Sequence, residues 1–253
     1  MKVVILAGGF GTRLSELTGA IPKPMVEVGH TPILLHIMSI YAKYGHKDFI
    51  VALGYKAEVI KDYFAKLSHM KSDYTVNLKS GSMTIHKEPD MDWNITLVDT
   101  GLDTMTGGRI KRVKDYLGDD EFLLTYGDGV ADVDITATIN LHRKSDKLIT
   151  MTAVRPAARF GELDINDNVV ASFEEKPQLN QGWINGGFFV CHPDVINYID
   201  GDHEMFEREP LQRIIASKGM AAYKHEGFWQ CMDSKRDHEK LNEIWDSGLA
   251  PWA

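Results

Sequence analysis

The sequence contains no Gly-Lys dipeptide, which excludes the P-loop, whose lysine follows a glycine at the start of a helix. A dinucleotide fingerprint is missing as well, because Leu14 stands where its third glycine would follow Gly9 and Gly11. Cysteine is scarce. Cys191 and Cys231 alone can build neither a disulfide framework nor a cysteine zinc site, so a reducing cytoplasm is the expected compartment and both are expected to be packing residues. The histidines form no His-Glu-x-x-His pattern and no serine lies in a Gly-x-Ser-x-Gly turn, so a zinc peptidase and a serine hydrolase both lack their signatures. Long apolar runs are lacking: Val3 to Ala7 is too short for a signal-peptide core, and no stretch approaches membrane-spanning length. Net positive charge is lacking too. A formal charge of −8 argues against nucleic acid or an anionic membrane as partner, so any anionic ligand must depend on local cations.

What is present is a chain of 253 residues, 43% hydrophobic and 25% charged, the composition of a soluble globular protein with one sizeable core. Lys2 to Ala7 and Asp48 to Leu53 read as short buried strands, and a helix is predicted after a cap at Thr31-Pro32, with Ile33, Leu34, Ile37, Ile40, Tyr41 and Tyr44 on its apolar face. Glu58 to Leu67 reads as a second helix. Tyr74 to Lys79, Ser82 to Lys87 and Asn94 to Asp99 then read as strands, the first two joined by a Ser-Gly turn, in an antiparallel excursion or a long crossover. A helix from Arg109 to Leu117, a strand from Glu121 to Tyr126, a helix from Ile135 to Arg143 and a strand from Leu148 to Val154 restore the α/β alternation. Beyond Phe160 the predicted pattern is richer in strands, at Glu162 to Ile165, Val169 to Glu174 and Trp183 to Cys191. Helical segments at Pro193 to Ile199 and Glu209 to Lys218, a strand at Ala221 to His225 and a helix from about Lys235 complete the chain.

The densest chemistry lies in Leu6-Ala7-Gly8-Gly9-Phe10-Gly11-Thr12-Arg13, followed by Pro22-Lys23-Pro24-Met25. Glycines directly after an apolar strand let backbone N–H groups approach phosphate oxygens. Arg13 adds a planar fork of donors, and Lys23 a point charge held between prolines. Asp128, in Tyr126-Gly127-Asp128-Gly129, falls at the carboxyl end of a strand, where ligands of parallel sheets gather, and a carboxylate there suits a hard cation such as Mg²⁺. Asp132 and Asp134 read instead as helix caps. Arg109, Lys111, Arg112 and Lys114, by residue pattern alone, read as a solvated basic helix face.

GGFGTRL with a downstream PKPM resembles the signature loop of the sugar-phosphate nucleotidylyltransferases. Five further blocks, DTGLDTMTGGRIKRV (Asp99 to Val113), TYGDGVADVD (Thr125 to Asp134), FEEKP (Phe173 to Pro177), WINGGFFV (Trp183 to Val190) and GFWQCMDSKRD (Gly227 to Asp237), are similar to those of the cytidylyl-transferring members, in the same order. The resemblance implies a Rossmann-like three-layer α/β core with a largely parallel sheet, as a single domain over 1–253. About 1–155 would form the nucleotide-binding part, and about 156–253 a β-rich sugar-binding and interface part. It implies CTP and glucose 1-phosphate as substrates, pyrophosphate as product and Mg²⁺ on Asp128 and Asp233; UTP or dTTP is the alternative nucleotide. Around the nucleotide it places Leu6, Ala7, Gly8, Gly9, Gly11, Thr12, Arg13, Lys23, Thr104, Arg109 and Asp128, with Arg109 reaching across a subunit boundary. Arg13, Lys23 and Asp128 would be catalytic. Glu175, Lys176, Asn185 and Gly186 would hold the sugar phosphate. A homo-oligomer is implied, hexamers occurring among related enzymes. The chain departs from the pattern at Ile21, where a lysine is common in the cytidylyl group, and at Phe10, where leucine is frequent.

Overall fold

A computed structural model describes residues 1–156, 162–166, 169–174 and 182–253, with side chains described for all but Arg13, Ser15, Leu17 and those within 162–174. The chain runs through β1 (Lys2–Ala7), α1 (Ser15–Thr18), β2 (Glu27–Val28), β3 (Thr31–Pro32), α2 (Ile33–Lys43), β4 (Asp48–Leu53) and α3 (Ala57–Met70). It continues with β5 (Asp73–Val76), β6 (Met83–Lys87), β7 (Asn94–Asp99), α4 (Thr106–Arg112), α5 (Lys114–Leu117), β8 (Phe122–Tyr126), β9 (Gly129–Ala131), α6 (Ile135–Ser145) and β10 (Ile149–Val154). The remainder supplies β11 (Glu162–Asn166), β12 (Val169–Glu174), β13 (Ile184–Cys191), α7 (Glu209–Ala216), β14 (Met220–His225), β15 (Trp229–Cys231) and α8 (Lys235–Asp246).

A seven-stranded sheet in the order β14-β10-β13-β8-β1-β4-β7 forms the centre. Its pairs are parallel except where β13 runs antiparallel between β10 and β8. Two strands of this sheet, β13 and β14, come from beyond residue 156. Successive strand side chains point to opposite faces, and β1 is apolar on both: Val3 and Ile5 join one core cluster, Val4 and Leu6 the other. Residues of α2, α3, α6 and α8 cover the first face; those of α4, α5 and α7 cover the second. This is the expected three-layer α/β arrangement. From β1 the chain steps to β4 and β7 on one side, then returns to place β8 on the other side of β1. The carboxyl ends of β1 and β8 therefore flank a topological switch point, where the connecting loops diverge and leave a crevice.

Several predicted elements shift. Thr31 does not cap a helix: Thr31–Pro32 pairs with Glu27–Val28, and the Ile33 N–H donates to the Val26 carbonyl at 2.9 Å. The helix predicted from Arg109 begins instead at Thr106 and breaks at Val113. Its early donors find partners far along the chain, Met105 N–H on Asp202 O and Gly107 N–H on Glu204 O. That approach needs glycine, since a Cβ at Gly108 would lie 2.5 Å from Asp202 Cα. Asp134 caps α6 as predicted, accepting from the Ala137 N–H at 2.8 Å, but Asp132 pairs with His225 at 2.9 Å. β5 and β6 form a separate antiparallel ribbon. Its Tyr74–Ile85 and Val76–Met83 pairs make one apolar, solvent-exposed face, while Thr75, Thr84 and His86 line the other. Among the described residues no helix is long and apolar enough to cross a membrane.

The end of the chain is locked into the core. Trp252 is 2% exposed, stacks on Phe228 at 5.3 Å and donates its indole N–H to His36 Nδ1 at 3.3 Å. Truncating a buried aromatic leaves a cavity as well as losing transfer energy. Trp252→Ala should therefore lower unfolding stability by about 3–5 kcal/mol in urea titration, whereas a loss under about 1 kcal/mol would place the tail outside the core.

Candidate active site

The crevice at the switch point is an open cleft of about 650 Å³, with the carboxyl end of β1 and the residues after it, through Thr12, along its wall. Gly11 takes φ +63°, a conformation that favours glycine, and turns the chain into the short helical turn Thr12–Leu14. Gly9 has open space where a Cβ would stand. The Arg13 backbone lies in that turn, while its side chain falls outside the described set.

Gly8 is glycine for a different reason. The Arg109 guanidinium packs against it so closely that a Cβ would fall 2.2 Å from the arginine Cζ, and a Cβ at Gly54 would fall 2.4 Å from its Nη1. Arg109 is 4% exposed. Nη1 donates to Leu53 O, Thr100 Oγ1 and Gly101 O at 2.9, 2.7 and 2.8 Å. Nη2 donates to Gly8 O and Leu102 O at 3.1 and 3.2 Å. Burial, and to a lesser degree Arg112, lowers its pKa. One sequence reading of Arg109 therefore needs correction: it is not on a solvated helix face but buried, with these contacts to oxygens of its own chain. Buried Thr104 lines the cleft beside it.

On the opposite wall, β9 pairs antiparallel with β15, and the Met232 N–H donates to Asp128 O at 2.8 Å. This pairing brings together Asp128, just after β8, and Asp233, just before the capping box that opens α8. Lys23, in a helical turn entered through Pro22, stands between them. Its ammonium donates to Asp128 Oδ2 at 2.6 Å and Asp233 Oδ1 at 2.7 Å, with the lysine side chain 13% exposed. Burial is the largest single influence on Lys23 and lowers its pKa, but the charges and hydrogen bonds of Asp128 and Asp233 outweigh it, so the net direction is up. The lysine stays an ammonium at neutral pH. Burial first, then Asp233 and Asp128, push the Cys231 thiol up to about 12, which leaves it protonated and no nucleophile. Burial likewise raises the Cys191 thiol.

Among the described residues no group of three or more His, Cys, Asp or Glu could hold a metal by itself. The Asp128 and Asp233 oxygens nevertheless converge on one positive charge. A hard cation such as Mg²⁺ takes one or two carboxylates and completes its octahedron with phosphate oxygens and water, so this donor set fits it.

The third wall carries Tyr126, Asn185, Gly186 and Gly187. Asn185 Nδ2 donates to the Tyr126 hydroxyl at 3.1 Å, and its Oδ1 accepts from the Gly187 N–H at 2.8 Å. Trp229 donates its indole N–H to Gly186 O at 2.7 Å, tying β15 to β13. Glu175 and Lys176 lie outside the described residues. Leu6, Ala7, Gly8, Gly9, Gly11, Thr12, Lys23, Thr104, Arg109, Asp128, Asn185, Gly186 and Asp233 all line the one cleft. Tyr126 and Trp229 line it too and were missed by sequence reasoning; Tyr126 adjoins Gly127-Asp128, its only sequence signal.

Comparison with known proteins agrees with this architecture. The family described as nucleotidyl transferase matches residues 2–237. Glucose-1-phosphate cytidylyltransferase of Salmonella typhimurium is 53% identical over 253 residues, all of this chain and 98% of that protein. A probable glucose-1-phosphate cytidylyltransferase of Bacillus subtilis is 42% identical, again over all of this chain and 99% of its own length. Among solved structures, HddC from Yersinia pseudotuberculosis complexed with GMP-PN is similar with a TM-score of 0.70 and 26% identity, covering 96% of this chain and 99% of that one. With a family match along most of its length and a relative that shares over half its residues end to end, the chain belongs to the nucleotidyl transferase family.

Proposed function

We propose that this chain transfers the cytidylyl group of CTP to α-D-glucose 1-phosphate, giving CDP-glucose and pyrophosphate. Full-length similarity to the Salmonella cytidylyltransferase supports the choice of substrates. The observation that carries the chemistry is the Lys23 ammonium held between Asp128 and Asp233 at the mouth of a glycine loop.

A phosphate oxygen of the sugar ester attacks the α-phosphorus in line, the new P–O bond forms, and the bond to the β-phosphate oxygen breaks to release pyrophosphate. The attacking oxygen is already anionic, so no general base is needed, and catalysis rests on positioning and charge neutralisation. In this reading Leu6, Ala7 and the amides of Gly8, Gly9, Gly11 and Thr12 cradle the nucleotide, with Arg13 and Lys23 neutralising phosphate charge. Thr104 lies beside the nucleotide, and Arg109 serves it by holding the loop in shape. Glu175, Lys176, Asn185 and Gly186 hold the sugar phosphate. Asp128 and Asp233 would hold Mg²⁺, which when bound supplies neutralisation of the developing phosphate charge.

A homo-oligomer belongs to the same proposal. A two-stranded ribbon is marginal alone, and the Tyr74, Val76, Met83 and Ile85 side chains are each 40–45% exposed on one face, which suits packing against a second copy.

Three outcomes are expected. Lys23→Ala should cut turnover on the order of 100-fold or more in a pyrophosphate-release assay; near-normal turnover would remove Lys23 from the mechanism. Given CTP, UTP, dTTP, ATP and GTP in turn with glucose 1-phosphate, the protein should prefer CTP and lose turnover on chelation until Mg²⁺ is restored. Preference for another nucleotide would overturn the assignment. In sedimentation velocity, Tyr74→Lys with Ile85→Lys should shift the protein to a smaller species, and an unchanged coefficient would clear the ribbon of any part in assembly.

A further inference from the structure

Glu207 lies in the segment before α7, remote in sequence from every residue so far placed in the cleft. Its two carboxylate oxygens are both engaged: Oε1 accepts from the Tyr126 hydroxyl at 2.6 Å, and Oε2 accepts from the Thr106 hydroxyl at 2.6 Å. Thr106 Oγ1 in turn accepts from the Phe206 N–H at 2.8 Å. An ionised carboxylate can only accept, so the Tyr126 proton must point toward Glu207 and the phenol lone pairs must face away from it. Those lone pairs meet Asn185 Nδ2. The amide is thereby locked with nitrogen toward Tyr126 and oxygen toward the Gly187 N–H, leaving one N–H donor and one oxygen lone pair uncommitted among the described residues.

We propose that Glu207 is a positioning residue for the sugar half of the reaction. Through the one-way chain Glu207–Tyr126–Asn185 it fixes which edge of the Asn185 amide faces the ring hydroxyls of the sugar 1-phosphate. The ligand matched to that edge is a hydroxyl pair able to accept one hydrogen bond and donate another. This inference rests on the reading that the Asn185 wall holds the sugar. Burial, and then the charge of Glu207, raises the Tyr126 phenol, so it remains a donor throughout the range in which the protein would be assayed. The second oxygen of Glu207 adds a further consequence. Thr106 opens α4, the helix that carries Arg109 into its seat against Gly8, so one carboxylate braces the sugar wall and the glycine-loop wall together.

Glu207→Gln keeps size and shape but supplies N–H donors that can reverse the chain. It should raise KM for glucose 1-phosphate about tenfold, the worth of one misdirected polar contact, while the affinity for CTP measured by calorimetry stays within about twofold, because the amide oxygen still accepts from Thr106 and keeps α4 in place. Glu207→Asp, still acceptor-only, should recover part of the loss. Tyr126→Phe should reproduce the KM effect, and combining it with Glu207→Gln should add little, because both break one chain. A sugar KM that is unchanged in Glu207→Gln, or losses that multiply in the double variant, would overturn the inference. If Glu207→Gln does not fold, Tyr126→Phe decides alone: loss confined to the sugar KM supports the chain, and no loss overturns it. Failure of the wild-type protein to use any sugar 1-phosphate would instead strike the functional reading itself.

Discussion

Two carboxylates that stand side by side repel each other, and the arrangement around Asp128 and Asp233 is tolerable because the Lys23 ammonium sits within 2.7 Å of both. That cation is where three distant stretches of chain meet. The helical turn after α1 supplies the lysine, the end of β8 supplies Asp128, and the junction of β15 with α8 supplies Asp233. Displacing the lysine would leave two neighbouring carboxylates without the ammonium they share. The β9–β15 pairing and the capping box of α8 hold the second carboxylate at the required place. The geometry of the cleft mouth is thus a consequence of charge balance as much as of strand topology.

Arg109 does for the opposite wall what Lys23 does for this one, with backbone carbonyls in place of carboxylates. A guanidinium has five N–H donors in a rigid plane, so it can gather carbonyls that converge from several loops. Here the ends of β1, β4 and β7 present Gly8, Leu53, Thr100 and the following residues to one side chain. The absence of a Cβ at Gly8 and Gly54 is the space the guanidinium occupies. One glycine of the loop therefore serves arginine packing, while Gly11 serves the turn.

Much of this was legible beforehand. The alternation of apolar runs located most elements of the sheet and its helices, and the glycine loop, Lys23 and Asp128 were visible because their neighbours constrain them. Asp233 was readable only through resemblance, since nothing local marks a loop aspartate that becomes important when β15 pairs with β9. Arg109 misled by pattern: spaced among Lys111, Arg112 and Lys114 it looks like an exposed basic face, whereas helix rotation turns it inward. Glu207 was invisible, because its partners lie 81 and 101 residues away and a lone glutamate before a helix carries no local signal. The early start of α4 was hidden for the same reason, its donors being satisfied by carbonyls from residues 202 and 204.

The charge ledger of the cleft follows from these placements. The basic segment that looks suited to anions is largely committed: Arg109 to backbone oxygens, Arg112 to Asp202 and Thr100 O, Lys111 to the carbonyls of Ile199 and Asp200. Among the described side chains, what faces the cleft mouth is one ammonium held between two carboxylates. On the proposed reading, a triphosphate meets repulsion from the two carboxylates that a cation carried on its phosphates would offset. Asp128 and Asp233 would hold such a cation, which would supply neutralisation of the phosphate charge beside Lys23. On the proposed reading, Lys23 holds the carboxylate pair together at the place where a metal-bound nucleotide would meet it.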